Sequence, residues 1–148
     1  MTRLALLLAL AAVAVPRVAR ADEMKADCEF LEIAAKKGDK PSVDAELAQV
    51  EKKLKGQPFA WNQFKFLSRA DRSLTKHKAE ALPLKVGSAT ATLVEVVEKS
   101  KVRIQFVMTD DKGKTVVDNT TALEAGDSLV FGTPLANGDG HLVAITCK

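Results

Sequence analysis

The segment 102–109 has the sequence VRIQFVMT, in which apolar and mostly polar residues alternate. Val102, Ile104, Phe106 and Met108 fall on one side of this alternation. Successive side chains of a β-strand point to opposite faces of the sheet, so the pattern predicts a strand with one buried face. We therefore expect these four apolar residues to lie in the core.

The same period of two extends through much of the chain around this segment. It predicts strands from Phe64 to the C-terminus, separated by turn-forming sequences at 110–113, 124–127 and 137–140. A first strand is predicted over 28–35, and the polar residues 22–27 before it are expected to be loose. Turns at this spacing are typical of an antiparallel sandwich or barrel.

One helix is predicted between the first strand and the later ones. Ser42 or Asp44 can cap its start, Gly56 suits the position after its end, and Pro58 prevents its continuation. Its apolar face has helical spacing and consists of Val43, Leu47, Val50 and Leu54. The predicted fold class is therefore α+β, mainly an antiparallel β-sandwich with one amphipathic helix near the N-terminal side.

Residues 1–21 have the features of a signal peptide for export. Arg3 precedes an unbroken apolar run over 4–15, and Ala19 and Ala21 fit the small-residue pattern that signal peptidase cleaves. The apolar run is shorter than the roughly 20 residues of a permanent membrane span. The mature chain is thus expected to begin at Asp22 and to form a single β-rich domain over 22–148.

The charge of the mature chain restricts its partners. Three of the 22 Lys and Arg residues lie in the predicted signal, so 19 basic residues remain against 19 acidic ones. A neutral chain of this kind gives no reason to expect a nucleic-acid partner. The mature chain has no second apolar stretch long enough to cross a membrane and no lipoprotein cleavage sequence. We expect a soluble protein, periplasmic or secreted.

Cys28 and Cys147 are the two cysteines and lie near the two ends of the mature chain. An exported protein enters an oxidising compartment, so a disulfide between the two cysteines is the favoured interpretation. The alternative is two free thiols that act as small apolar residues within their strands. Neither cysteine has a second one nearby, which disfavours a metal site.

Two features suggest a binding surface. Four of the seven aromatic residues lie within 59–66, and a basic stretch over 65–85 has a local charge of +4. The residues proposed for this surface are Trp61, Lys65, Arg69 and Arg72, which could bind a sugar or a peptide or orient a partner by charge. The competing and favoured interpretation is that the aromatic residues pack the helix onto the sheet and that the charges are solvated.

No catalytic, cofactor or metal motif is present, and no cofactor is predicted. The sequence lacks a nucleophile elbow, a phosphate-binding loop and a paired-cysteine redox motif. His77 and His141 lie in different segments, and each is expected to be structural, although triads can assemble in space. Residues 137–140, NGDG, lack most ligands of a calcium loop and are typical of a hairpin turn.

Three segments and the helix between the first two resemble a known group of proteins. The segments are CEFLEI at 28–33, PFAWNQFKFLSR at 58–69 and HLVAITC at 141–147. Their order is similar to that in uncharacterised small signal-peptide-bearing exported proteins of myxobacteria and related bacteria. The resemblance covers most of the mature chain and implies bacterial export and a β-rich fold, but it implies no activity and no catalytic residues.

The function expected from the sequence is an exported, non-enzymatic binding or interaction module of the bacterial envelope. Its partner would be a protein or an envelope component. The alternative is a small exported hydrolase with a site built from loops. A polar cleft with His77 or His141 close to Ser or Asp would favour the hydrolase. An exposed apolar or charged sheet face without a cleft would favour the binding module.

Overall fold

The computed structural model describes residues 24–57 and 59–148. The predicted signal peptide and its cleavage site lie outside these residues. Within them the chain forms nine strands, one 3₁₀ helix and one short α-helix. In chain order these are β1 (Lys25–Lys36), β2 (Ser42–Val43), the 3₁₀ helix (Ala45–Val50), α1 (Glu51–Gly56), β3 (Gln63–Thr75), β4 (Ala79–Pro83), β5 (Ser88–Glu98), β6 (Lys101–Thr109), β7 (Thr115–Glu124), β8 (Ser128–Pro134) and β9 (Gly140–Cys147).

The strands form two sheets. The first sheet has the order β2-β3-β1-β9-β8, and the second has the order β4-β5-β6-β7. Every pairing of these strands is antiparallel except that of β2 with β3, which makes the first sheet mixed. The fold is therefore mostly antiparallel β with one short helix, and its two packed sheets fit the predicted sandwich.

The main core lies between the two sheets and confirms the register predicted for β6. Ile104, Phe106 and Met108 are buried there, and Val102 is partly buried against the same cluster. The ring of Phe106 stacks on that of Phe131 with centroids 5.2 Å apart. Because Phe131 lies on β8 of the first sheet, this aromatic contact joins the two sheets directly.

A second apolar cluster lies on the other face of the first sheet. Leu47 and Val50 of the 3₁₀ helix and Leu54 of α1 are fully buried against β1 and β9. The predicted apolar face is therefore correct. Because both faces of β1 are covered, residues 30–33 are buried without interruption.

The prediction of one continuous amphipathic helix is wrong. Ser42 does not cap a helix, because it belongs to β2 and pairs with the start of β3. The side chain of Asp44 makes no helix cap either, since its Oδ2 accepts a hydrogen bond from the Phe66 backbone N–H at 2.9 Å. Gly56 is the last residue of α1 rather than the residue after it, and Pro58 lies outside the described residues.

The N-terminal residues are also more ordered than predicted. β1 begins at Lys25, so residues 25–27 are part of a strand rather than loose. Ala26 pairs with Leu74 of β3 and is buried in the main core. This extension makes β1 a 12-residue strand in the middle of the first sheet, paired with β3 on one side and β9 on the other.

Cys28 and Cys147 form a disulfide, the pairing favoured by the sequence. They are directly opposite each other on β1 and β9, with Cα atoms 4.0 Å apart. The bond closes a chain separation of 119 residues and joins the first strand to the last. It thereby restrains both ends of the described chain, where strands otherwise fray.

The aromatic cluster packs the helical segment onto the sheet. Phe59 lies 5.7 Å from Trp61 and 6.5 Å from Phe64, measured between ring centroids. The indole N–H of Trp61 donates to the Gly138 carbonyl at 2.9 Å, and the ring covers Gly140 so closely that a Cβ there would lie 2.8 Å from it. These contacts give the cluster a packing role.

In the part of the chain that the structure describes, no helix has both the length and the apolar character needed to cross a bilayer.

Candidate functional site

The site begins with a carboxylate inside the fold. Side chains of β1 alternate, so that Cys28 and Phe30 point into the main core, and Glu32 is next in the same row. Glu32 is 1% exposed. A buried charge is stable only if its oxygens have hydrogen-bond partners.

The Glu32 carboxylate accepts four hydrogen bonds. Its Oε1 accepts from the Ser68 hydroxyl at 2.7 Å and from the Lys85 backbone N–H at 2.8 Å. Its Oε2 accepts from the Val86 backbone N–H at 3.1 Å and from His141 Nε2 at 2.7 Å. Lys85 and Val86 belong to the β4–β5 loop of the second sheet, so the carboxylate ties that loop to the first sheet.

These hydrogen bonds keep Glu32 ionised. Burial raises the pKa of the carboxyl group, but the hydrogen bonds, that of His141 foremost, lower it by more. The net pKa is about 2, well below the ordinary value of 4.5. The carboxylate therefore acts as an acceptor at any physiological pH.

The β4–β5 loop is shaped to deliver its two N–H groups. Gly87 follows Val86 and has a φ of 69°. A Cβ at this position would also lie 2.0 Å from the Thr109 carbonyl oxygen. The loop therefore requires glycine here, because only glycine combines this φ with so close an approach of a neighbouring strand end.

His141 is the partner of Glu32 on β9. It pairs with Ala34 of β1, and Val143 pairs with Glu32, so His141 and Glu32 are diagonal neighbours on one face of the sheet. His141 is 4% exposed. Because the carboxylate has no proton to give, Nε2 must be the donor of the 2.7 Å hydrogen bond.

The other ring nitrogen of His141 has no protein partner among the described residues. Nδ1 has no hydrogen-bond partner among the described residues, while none of their fully buried side-chain nitrogen or oxygen atoms is unpartnered. Nδ1 is therefore not fully buried, and His141 lines a cleft. A ring more than nine-tenths buried thus keeps one nitrogen free.

This cleft, here called the His141 cleft, has a volume of about 500 Å³. Three connections form it: the β4–β5 loop, the β6–β7 turn and the β8–β9 loop. Its polar lining comes from Asp110, Asp111, Lys112, Thr133, Asn137 and His141. Its apolar lining comes from Val86, Val116, Pro134, Leu135 and Ala136.

The walls of the His141 cleft are held by local hydrogen bonds. Asp110 Oδ1 accepts from the backbone N–H groups of Lys112 and Lys114, both at 2.9 Å. Asn137 Oδ1 accepts from the Asp139 N–H at 3.0 Å. Such hydrogen bonds between side chains and the backbone stabilise turns. The connections that form the cleft therefore have a fixed conformation, and the cleft is preformed.

Two other clefts are less suited to a ligand. One, of about 340 Å³, lies beside the disulfide, and its Arg72 donates to the Asp71 carbonyl. The second, of about 350 Å³, lies beside the helical segment, and its Asp44 and Gln63 side chains are hydrogen-bonded to backbone groups. Neither has a buried titratable side chain with a free polar atom among the described residues.

The structure separates the residues that the sequence assigned to a binding surface. Trp61 is partly buried and hydrogen-bonded, as described above. Arg69 pairs with Leu31 and forms an ion pair with Glu29, Nε to Oε2, at 3.4 Å on the outer face of the first sheet. Arg72 pairs with Cys28 and Lys65 with Ala34, which places both on the opposite face. A shared binding surface made of these residues stays a prediction.

The two histidines differ in their surroundings. His77 is exposed in the turn between β3 and β4, with a φ of 63°, and its backbone N–H donates to the Leu93 carbonyl. His141 is buried and hydrogen-bonded, in line with the structural role expected from the sequence, and it also lines the cleft. The sequence analysis did not identify Glu32 as its partner, although a single acidic residue within the apolar run 30–35 was a usable signal.

The arrangement at Glu32 is unlike a nucleophilic triad. In a triad the base is a histidine that accepts the proton of the nucleophile. Here the Ser68 hydroxyl and His141 Nε2 both engage Glu32, and the carboxylate stands between them. A carboxylate whose pKa is about 2 is also a weak general base.

Family models, curated proteins and solved structures were each compared with this chain, and nothing matches it in any of the three.

Proposed function

We propose that this protein is an exported, non-enzymatic binding module of the bacterial envelope, and that it binds a small ligand in the His141 cleft. The single observation that carries the proposal is the free Nδ1 of the buried His141 ring. The hydrogen bond from Nε2 to Glu32 fixes the orientation of the ring, and Nδ1 remains available to a ligand.

The hydrogen bonds around Glu32 support binding over hydrolysis. A cleft that contains both His141 and Asp110 is what the hydrolase alternative requires. However, the hydrogen bond of His141 goes to Glu32, and both hydrogen bonds to Asp110 Oδ1 come from backbone N–H groups. No serine hydroxyl is hydrogen-bonded to the ring in the described residues, so the network orients His141 without activating a nucleophile.

The export part of the proposal rests on the sequence and is compatible with the disulfide. The features of residues 1–21 and the Cys28–Cys147 bond both fit an oxidising compartment outside the cytoplasm. The resemblance to exported proteins of myxobacteria points to the envelope of a bacterium.

Binding can be tested with four small probes on the mature protein. The probes are n-butylammonium, butyrate, 1-butanol and D-glucose, which represent a cation, an anion, an alcohol and a sugar. The readout is the ¹⁵N shift of the His141 imidazole during titration. A saturable shift with at least one probe is expected in the wild-type protein.

The matched variant is His141→Gln. Glutamine keeps an N–H donor near the position of Nε2, so the bond to Glu32 can persist, while the nitrogen equivalent to Nδ1 is lost. The readout for the variant is the Val86 amide shift, and its response to the probe should disappear. His77→Asn, in the exposed turn, is the control and should leave binding unchanged.

Absence of a response to all four probes in the wild-type protein would overturn the proposal. So would turnover of p-nitrophenyl acetate that depends on His141.

A further inference from the structure

The hydrogen-bond direction at His141 restricts the chemistry of a ligand. Because Nε2 donates to Glu32, Nδ1 of the neutral ring carries a lone pair and no proton. A ligand group that meets Nδ1 of the neutral ring must therefore be a donor. A carboxylate or a phosphate would place one acceptor against another.

The charged groups of the cleft favour a cation. Asp110 and Asp111 line it against a single cation, Lys112. Asp110 Oδ1 is occupied by two backbone N–H groups, but Oδ2 makes no hydrogen bond within the described residues. One carboxylate oxygen is thus held in place by its turn and remains available to a donor.

The remaining lining favours a short aliphatic group. Val86, Val116, Pro134 and Leu135 supply apolar walls, and no aromatic side chain is among the described residues that line the cleft. A sugar would therefore lack a ring on which to stack. In the described part of the chain no three His, Cys, Asp or Glu side chains are arranged to hold a metal ion.

We infer that the His141 cleft binds a primary ammonium group carried on a short aliphatic chain. This inference rests on the proposed function, because it specifies the ligand of the same cleft. The ammonium group supplies N–H donors for His141 Nδ1 and for Asp110 Oδ2, while its methylene groups contact the apolar walls. The source is either a free alkylamine or a lysyl side chain of a peptide.

The decisive comparison uses probes of the same length. We expect n-butylammonium to bind the mature protein. 1-Butanol has one donor and no charge, and n-butyltrimethylammonium has the charge and no N–H donor. Both should bind at least about tenfold more weakly, since a hydrogen bond to a charged group contributes about 1.5–3 kcal/mol.

The matched variant is Asp110→Asn. The asparagine oxygen can still accept the two backbone N–H groups of the turn, so the change removes charge and leaves the turn intact. The substitution should weaken the binding of n-butylammonium at least about tenfold and leave the binding of 1-butanol unchanged. The control is Lys40→Gln. Lys40 is exposed and does not line the cleft, so this substitution should leave the binding of n-butylammonium unchanged.

The source of the ammonium group is distinguished by two further probes. 1,4-Diaminobutane represents a free amine, and Nα-acetyl-lysine methylamide represents a lysyl side chain. Tighter binding of one identifies the source.

The outcomes separate this inference from the proposed function. If 1-butanol, butyrate or glucose shifts the His141 imidazole and n-butylammonium does not, the ammonium inference is wrong and the binding function stands. If none of the probes shifts the imidazole, both are wrong.

Discussion

Glu32 Oε2 and His141 Nε2 lie 2.7 Å apart, although 109 residues separate them in the chain. The contact joins the central strand of the first sheet to the last strand, and its two residues are among the few buried polar residues of the described chain. It also sets which nitrogen of His141 reaches the cleft, so the stability of the fold and the chemistry of the site share one hydrogen bond.

Glu32→Gln should destabilise the protein in a pH-dependent manner. The folded pKa of Glu32 is about 2 and the ordinary value is 4.5, so the unfolded chain binds more protons between these values. The stability contributed by Glu32 is fully present above about pH 4.5 and is lost as pH falls towards 2. The free energy of unfolding, measured by urea denaturation across this range, should therefore differ most between wild type and variant above pH 4.5. The exposed Glu124→Gln is the control, and a difference that grows on acidification would contradict the assignment.

Phe106→Ala should lower the free energy of unfolding by about 3–5 kcal/mol. Phe106 is 0% exposed and its ring stacks on Phe131 of the opposite sheet, so truncation leaves a cavity between the sheets. Val107 lies on the outer face of β6, so Val107→Ala should lower the free energy of unfolding clearly less. Equal losses for the two variants in chemical denaturation would refute the register.

Replacement of both Cys28 and Cys147 by serine should lower the free energy of unfolding by about 2–5 kcal/mol. The disulfide closes a separation of 119 residues, which restricts the unfolded chain strongly. Thermal denaturation of wild type with and without reductant should show the same loss. Two reactive thiols in denatured, unreduced protein recovered from the export compartment would rule out the bond.

Cleavage of the exported protein should occur between Ala21 and Asp22. Ala19 and Ala21 present the small side chains that signal peptidase accepts. N-terminal sequencing and intact mass of the exported form test this. A mature form that retains residues 4–15 would contradict both the cleavage site and the neutral charge of the mature chain.

The helical segment shows how tertiary contacts override a local pattern. The spacing of Leu47, Val50 and Leu54 correctly indicates the buried face. It does not indicate that the segment divides into a 3₁₀ helix and a six-residue α-helix. Its start at Ala45 follows from Val43, which pairs with Phe64, and from Asp44, whose side chain bonds to the backbone of β3 instead of capping a helix.

The alternation of apolar residues determined most of the strands by itself, because the side-chain period of a strand is a local property of the backbone. The faces of β6 and the positions of its turns follow from that period. β4 was not predicted, because its five residues, AEALP, have no clear alternation, and its position depends on pairing with β5.

The site depended on tertiary structure. Sequence alone indicated an acidic residue within an apolar strand and a histidine at the start of another. Only the pairing of β1 with β9 placed Glu32 beside His141, and only the packing of the second sheet brought the Lys85 and Val86 N–H groups onto the same carboxylate. Each of these contacts joins residues at least 53 positions apart. Their geometry is set by the register of the strands and by the packing of the two sheets. The local periodicity of the sequence predicts neither of these.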